Sequence, residues 1–172
     1  MMLKKTFKIF WAWQDDQEEI WLQQMAQQGW GLRDYNVGFY TFEKIEPTNY
    51  VYKLDFKQTR NNDMEEYLSI FSDAGWEHVA QFGGWHYFRT KAEGATTPEI
   101  YSDRATKAQR YKFIANIVMA LLAILLVFFI THIVPMASRG DGSFLLWIYL
   151  LIFGFGGFGV YKLKIKEKEL SE

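Results

Sequence analysis

WLQQMAQQGW at residues 21–30 and YLSIFSDAGW at residues 67–76 share an aromatic-leucine opening and a glycine-tryptophan close at one spacing. The correspondence continues without a gap. Gly38-Phe39-Tyr40-Thr41-Phe42 lies as far beyond Gly29-Trp30 as Gly84-Trp85-His86-Tyr87-Phe88 lies beyond Gly75-Trp76. The first half of the chain therefore reads as an internal duplication. Periodicity assigns its elements. Trp21, Leu22 and Met25, and likewise Met64, Tyr67, Leu68, Phe71 and Ala74, recur at helical spacing and give each helix one apolar stripe. Asp16 with Glu19, and Asn62 with Glu65, read as capping boxes that satisfy the first backbone donors of each helix.

The segments between the helices alternate as strands do. Phe7, Ile9, Trp11 and Trp13 share one face of a strand, and Tyr50, Tyr52, Leu54 and Phe56 share one face of another. After each Gly-Trp pair come two short strands that fold back as hairpins: Trp30 to Val37 with Phe39 to Lys44, and Trp76 to Phe82 with Trp85 to Thr90. Gly29 and Gly75 suit the left-handed position that ends a helix, and Gly83-Gly84 suits a tight hairpin turn. The expected fold class is α+β, a tandem strand-helix-strand-strand repeat forming one antiparallel sheet with both helices on one face. One unit of about 40 residues buries too little surface to stand alone, so the two should fuse.

Two uncharged apolar runs close the chain, Phe113 to Val134 and Phe144 to Tyr161. At helical rise they extend roughly 33 Å and roughly 27 Å, against a hydrocarbon core of about 30 Å, and so predict a two-helix transmembrane hairpin. Pro135 is expected to close the first helix, Gly140 and Gly142 to make the turn, and Gly154, Gly156, Gly157 and Gly159 to let the helices approach closely. Lys107, Arg110 and Lys112 precede the first run, and Lys162, Lys164, Lys166 and Lys168 follow the second, whereas the turn carries only Arg139 offset by Asp141. The positive-inside rule then puts both termini in the cytoplasm, in the cell membrane. Tyr111, Tyr161 and Trp147 suit the two interfaces. The organisation is a cytosolic duplicated domain at 1–90, a linker and juxtamembrane helix at 91–112, a hairpin at 113–161 (113–134 and 144–161), and a basic cytosolic tail at 162–172.

Composition narrows the function. Mean hydropathy is slightly negative, at -0.16, despite the apolar last third, which fits a polar domain on an anchor. The chain has no cysteine, and its formal net charge of -1 argues against nucleic acid as a direct partner. The opening residues do not read as a signal peptide, because Asp15, Asp16, Glu18 and Glu19 arrive before an apolar h-region forms. That acidic cluster is explained by favourable charge at a helix N-terminus. Gly154, Gly156 and Gly159 match a dinucleotide pattern, but no strand precedes them. Arg139-Gly140-Asp141 reads as a turn, and His132, near the outer end of its span, as structurally accommodated. His78 and His86, across the second hairpin, lack a carboxylate partner or nucleophile. No cofactor, metal site or catalytic residue is expected, and the protein does not read as an enzyme.

The series Glu19-x-Trp21-Leu22, Gly29-Trp30-x-Leu32, Tyr40-x-Phe42-Glu43, Tyr52-x-Leu54-Asp55-Phe56, Ala74-Gly75-Trp76-Glu77 and Gly83-Gly84-Trp85-x-Tyr87-Phe88 resembles a family of Gram-positive bacterial membrane proteins catalogued as a domain of unknown function, the DUF2812 type. The resemblance covers roughly residues 5–89. Members are often encoded beside PadR-like transcriptional regulators, which implies a regulatory role and a PadR-like protein partner but supplies no catalytic residues. The repeated arrangement is also similar to the ligand-binding domains of GyrI-like and multidrug-sensing regulators, an analogy of architecture. Two functions are expected from these readings. The first is a membrane-anchored sensor or interaction protein whose cytosolic head binds a protein partner. The alternative is binding of a small lipophilic, cationic ligand in an aromatic cleft between the repeats, with Trp30, Tyr40, Glu43, Trp76, Glu77 and Trp85 as candidate contacts.

Overall fold

The computed structural model describes residues 2–57, 63–92, 104–142 and 144–171, with no account of the side chains of 104–106. The chain divides into two compact units, Met1–Tyr101 and Ser102–Glu172. The first is the α+β head. Its elements run β1 (Leu3–Phe7), α1 (Asp15–Gln27), β2 (Trp30–Asn36), β3 (Phe39–Lys44), β4 (Tyr50–Phe56), α2 (Met64–Asp73), β5 (Glu77–Phe82) and β6 (Trp85–Lys91). Each half is thus strand, helix, strand, strand.

Two three-stranded antiparallel sheets, ordered β1-β3-β2 and β4-β6-β5, stand where the sequence predicts one. Their registers match: Phe7 opposes Phe39 in the first sheet as Phe56 opposes Trp85 in the second, and both β2 and β5 carry an irregularity, at Leu32/Asp34 and His78/Ala80. The helices do not share a face. Tyr52, Leu54 and Tyr87 lie on one face of the second sheet and pack with Leu22, Met25 and Ala26 of α1, which also meet Leu32, Tyr40 and Phe42 of the first sheet. Val51 and Phe88 lie on the opposite face and pack with Tyr67 and Phe71 of α2. Alternation told which residues share a face, but α1, apolar toward both sheets, fills the space between them and leaves α2 the far side.

Two local expectations change. β1 occupies Leu3–Phe7, and Ile9, Trp11 and Trp13 lie beyond it. The reason is the partner: β3 begins at Phe39 and the last backbone bond, Lys8 N–H to the Gly38 carbonyl at 2.8 Å, lies at the hairpin turn, so the chain past Lys8 has nothing to pair with. The first capping box does not form: the residue before α1 is Gln14, whose Oε1 accepts from the Trp11 N–H at 3.0 Å. The second rests on Asn62, which is outside the described residues; α2 follows Asp63 without a side-chain cap. The predicted linker, Lys91 to Pro98, and the helix from Glu99 fall largely outside them too.

The hairpin turns show one strained residue. Gly83 and Gly84 both take positive φ, 56° and 88°, as a primed turn requires. The equivalent turn of the first half uses Gly38 at 79° but Val37 at 41°, the single non-glycine residue with positive φ among those described. A β-branched side chain there stands about 1–2 kcal/mol above a relaxed conformation. Because Val37 is 62% exposed, little packing offsets this. Val37→Asn, whose side chain tolerates the left-handed region, is expected to stabilise the head by about 0.5–1 kcal/mol in urea unfolding of the detergent-solubilised chain.

In the second unit, α3 (Arg104–Phe128) continues through a π-helical turn at Phe129–Ile133 into α4 (Val134–Ser138), and α5 (Phe144–Ser171) packs against α3. Pro135 does not close the first helix. It sits in the first turn of α4, where its missing N–H is tolerated, directly after the π turn. Lys166 Nζ donates to the Tyr111 hydroxyl at 3.4 Å, so the start of α3 and the end of α5 lie together. Gly156 packs on Leu122, where a Cβ would come within 2.8 Å, and Gly159 is buried; Gly154 and Gly157 face open space. Gly140 and Gly142 take positive φ in the turn.

Candidate functional site

The centre of the head is an acid. In the first turns of α1, Asp15, Glu18 and Glu19 fall at helical spacing with Leu22, Met25 and Ala26, so the carboxylates occupy the N-terminal end of the buried stripe. All three are at least 94% buried. One oxygen of Glu18 accepts from the Tyr40 hydroxyl at 2.6 Å and from the Tyr87 hydroxyl at 2.8 Å, one tyrosine from each sheet. Tyr35 lies against both phenols, with ring centroids 4.7 Å and 5.1 Å away. Burial pushes Glu18 above its usual carboxyl range against the pull of the two hydroxyls, with Asp15 and Glu19 adding to the rise. Burial, then the negative charge of Glu18, also pushes both tyrosines up.

Glu19 ties α1 to the edge of the second sheet. Its carboxylate accepts from the Leu54 backbone N–H at 2.9 Å and pairs with Lys53 at 2.8 Å. Two further bonds cross between the halves: the Leu32 N–H to the Tyr52 hydroxyl at 3.1 Å, and Arg89 Nη1 to the Leu32 carbonyl at 3.4 Å. The reading of the acidic cluster as helix-dipole charge missed Glu18 and Glu19, although their i, i+3, i+4 relation to Leu22 already put them on the apolar face.

The six residues singled out from sequence do not converge on one cleft. Tyr40 joins the Glu18 centre. Trp30 lies under the ammonium groups of Lys4 and Lys44, 5.3 Å and 4.8 Å from its ring. Glu43 lies on β3 opposite Leu3. Trp76 is buried beside α2, its ring N–H without a partner among the described residues. Glu77 grips Arg89 through two bonds, at 2.7 Å and 2.9 Å, and with Tyr50, Gly75 and Lys91 lines an open cleft of about 440 Å³. Trp85 rests on Phe56, centroids 5.3 Å apart.

His86 and His78 meet across β5 and β6, with Nδ1 and Nε2 3.3 Å apart. Tyr67 stacks edgewise on His86 and donates to Asp55, and the other His86 nitrogen faces the Lys57 carbonyl at 3.3 Å. Burial holds both histidines below their usual value, and for His78 the neighbouring imidazole adds to it. A lowered folded value means that the unfolded chain binds protons first. Stability is therefore expected to be full above 6.5, the ordinary histidine value, and to fall as pH drops below it. Urea midpoints across that range check this, and His78→Gln should shrink the slope.

An α+β unit with an acid at its centre, followed along the chain by two partnered apolar helices, is the class that the fold defines, and among the described residues no group of three His, Cys, Asp or Glu side chains placed to hold a metal occurs. A family model described as a protein of unknown function (DUF2812) matches residues 14–123, and the chain belongs to that family. The match extends past the head into α3. Comparison with curated proteins and with solved structures finds no match.

Proposed function

We propose that the chain is a non-enzymatic interaction module, anchored in the cell membrane by two spans, with its head and both termini on the cytoplasmic side and a PadR-like transcriptional regulator as its protein partner. The observation that carries the anchoring is how bare the helices are. The most apolar windows of Lys107–Ser138 and Phe144–Ser171 are 6% and 11% buried, whereas a core helix of a water-soluble protein hides its apolar side chains in protein. Lipid is the solvent such surfaces match. The lysines at 107, 112, 162, 164, 166 and 168 gather at the end where Lys166 meets Tyr111, which supports the cytoplasmic assignment of that end. The regulator rests on the neighbourhood typical of the family. Capture of a PadR-like protein from membranes by the tagged full chain, with altered transcription on deletion, is the expected outcome; capture of none with unchanged transcription refutes it.

A second reading, binding of a lipophilic cation, is favoured by the aromatic enclosure of Glu18 by Tyr35, Tyr40 and Tyr87. The cation would displace the two hydroxyls. Titration with tetraphenylphosphonium tests it: tryptophan fluorescence should respond in the wild type and not in Glu18→Gln.

A further inference from the structure

His78 and His86 stand at the positions that the first half of the chain fills with Leu32 and Tyr40. Both halves break register there, between His78 and Ala80 in β5 as between Leu32 and Asp34 in β2. The extra residue, Val79, decides which way His78 points. Counted back from the Ala80–Tyr87 pair without it, His78 would oppose Arg89 and face away from His86; with it, His78 opposes Phe88 and shares the face of His86. The rings then meet with His86 Nδ1 3.3 Å from His78 Nε2.

A neutral imidazole has one N–H and one lone pair. The Lys57 carbonyl faces His86 Nε2 at 3.3 Å and can only accept, so Nε2 carries the proton and Nδ1 the lone pair. His78 hydrogen-bonds the Ala80 backbone in the sense that favours its protonated form, so that backbone group is an acceptor too and takes the N–H of His78. Two lone pairs are thus aimed at each other. A hydrogen bond between the rings would take the proton from one of the two backbone acceptors, whereas an imidazole whose outer N–H is held by a carbonyl is oriented to ligate a metal through its other nitrogen. The spacing selects the ion. Zn²⁺ binds imidazole nitrogen at about 2.0–2.1 Å, so two such nitrogens at a tetrahedral angle lie about 3.3–3.4 Å apart, while the right angle of square-planar or octahedral ions brings them to about 2.8–3.0 Å.

We propose that His86 Nδ1 and His78 Nε2 bind a Zn²⁺ ion between β5 and β6, with water in its remaining positions. His86 is buried and His78 half-buried, so the ion enters from the His78 side. Asp55, opposite His86 in register, adds negative charge there against the ammonium of Lys57. Structural zinc sites use four protein ligands and catalytic ones three; two neutral imidazoles hold the ion exchangeably, and its arrival ties β5 to β6 at the break in register. Neither the anchoring nor a protein partner is needed for this.

The chain has no cysteine and three histidines, so each histidine can be tested by itself. The full chain, purified in detergent through a histidine-free tag and stripped with EDTA, is titrated with zinc chloride by calorimetry, and X-ray absorption at the zinc edge counts the imidazoles on the bound ion. One zinc per chain carrying two imidazoles is expected, unchanged in His132→Gln and more than about tenfold weaker in His78→Gln and in His86→Gln. Circular dichroism of the metal-free variants checks their folding. His78→Gln, at the half-buried end, should keep the native spectrum, and the imidazole count in the wild-type chain decides even where a variant does not fold. No zinc uptake, uptake retained by either folded variant, or a bound ion with fewer than two imidazoles overturns the proposal.

Discussion

Gly29→Ala is expected to destabilise the head by about 2–4 kcal/mol, and Gly75→Ala, at the matching position of the second half, by only about 1 kcal/mol. Both glycines end a helix with the same backbone, φ 81° and 82°. A side chain at either must adopt the left-handed region, and that penalty is common to both. Their surroundings differ. A Cβ at Gly29 would lie 2.9 Å from the Ile45 carbonyl oxygen, a backbone atom fixed by the bond from the Ile45 N–H to the Gly29 carbonyl at 3.0 Å, whereas nothing lies within 4 Å of a Cβ at Gly75. Urea unfolding of the two variants in one detergent reads the difference directly. Equal losses would mean that the Ile45 segment yields freely.

That pair marks where sequence stops and structure begins. The Gly-Trp repeats located both helix ends, and both glycines have the predicted conformation, because left-handed geometry is a local demand. What presses on each glycine is tertiary, and no spacing encodes it. The same boundary runs through the fold. Alternation puts Tyr52 and Leu54 on one face of β4, as observed, yet period 2 does not say that α1 claims that face and α2 the one that carries Val51. Phe7, Ile9, Trp11 and Trp13 alternate as a strand does, but a strand needs a partner, and β3 supplies one only as far as Phe7. Of the site, Tyr40 was legible as a candidate. Glu18 was hidden because its charge already suits a helix N-terminus, and burial of an acid depends on donors, Tyr40 and Tyr87, that come from 22 and 69 residues away along the chain.

Glu18→Ala tests that centre and is expected to cost about 2–5 kcal/mol, since it leaves two buried hydroxyls without their acceptor, at about 1–3 kcal/mol each, and opens a void between the sheets. Glu18→Gln keeps an oxygen where both hydroxyls point and should stay within about 1 kcal/mol of the wild type. The two variants separate hydrogen bonding from charge, and pH completes the argument. Burial holds Glu18 above its ordinary value of 4.5, so the folded chain binds this proton more readily than the unfolded one. The resulting stabilisation is full below 4.5 and is lost as pH rises through the raised folded value. Its slope opposes that of the histidine pair, which adds stability as pH rises toward 6.5. In the His78→Gln background, stability should therefore decline with rising pH in the Glu18 window, and adding Glu18→Gln should flatten the decline. A decline that survives Glu18→Gln would show that Glu18 is not its source. If it is Glu18 that titrates, then the tyrosine bonds joining the two sheets change from a neutral to an ionic clamp as that proton leaves, and a cation entering between Tyr35, Tyr40 and Tyr87 would be drawn by the ionised form.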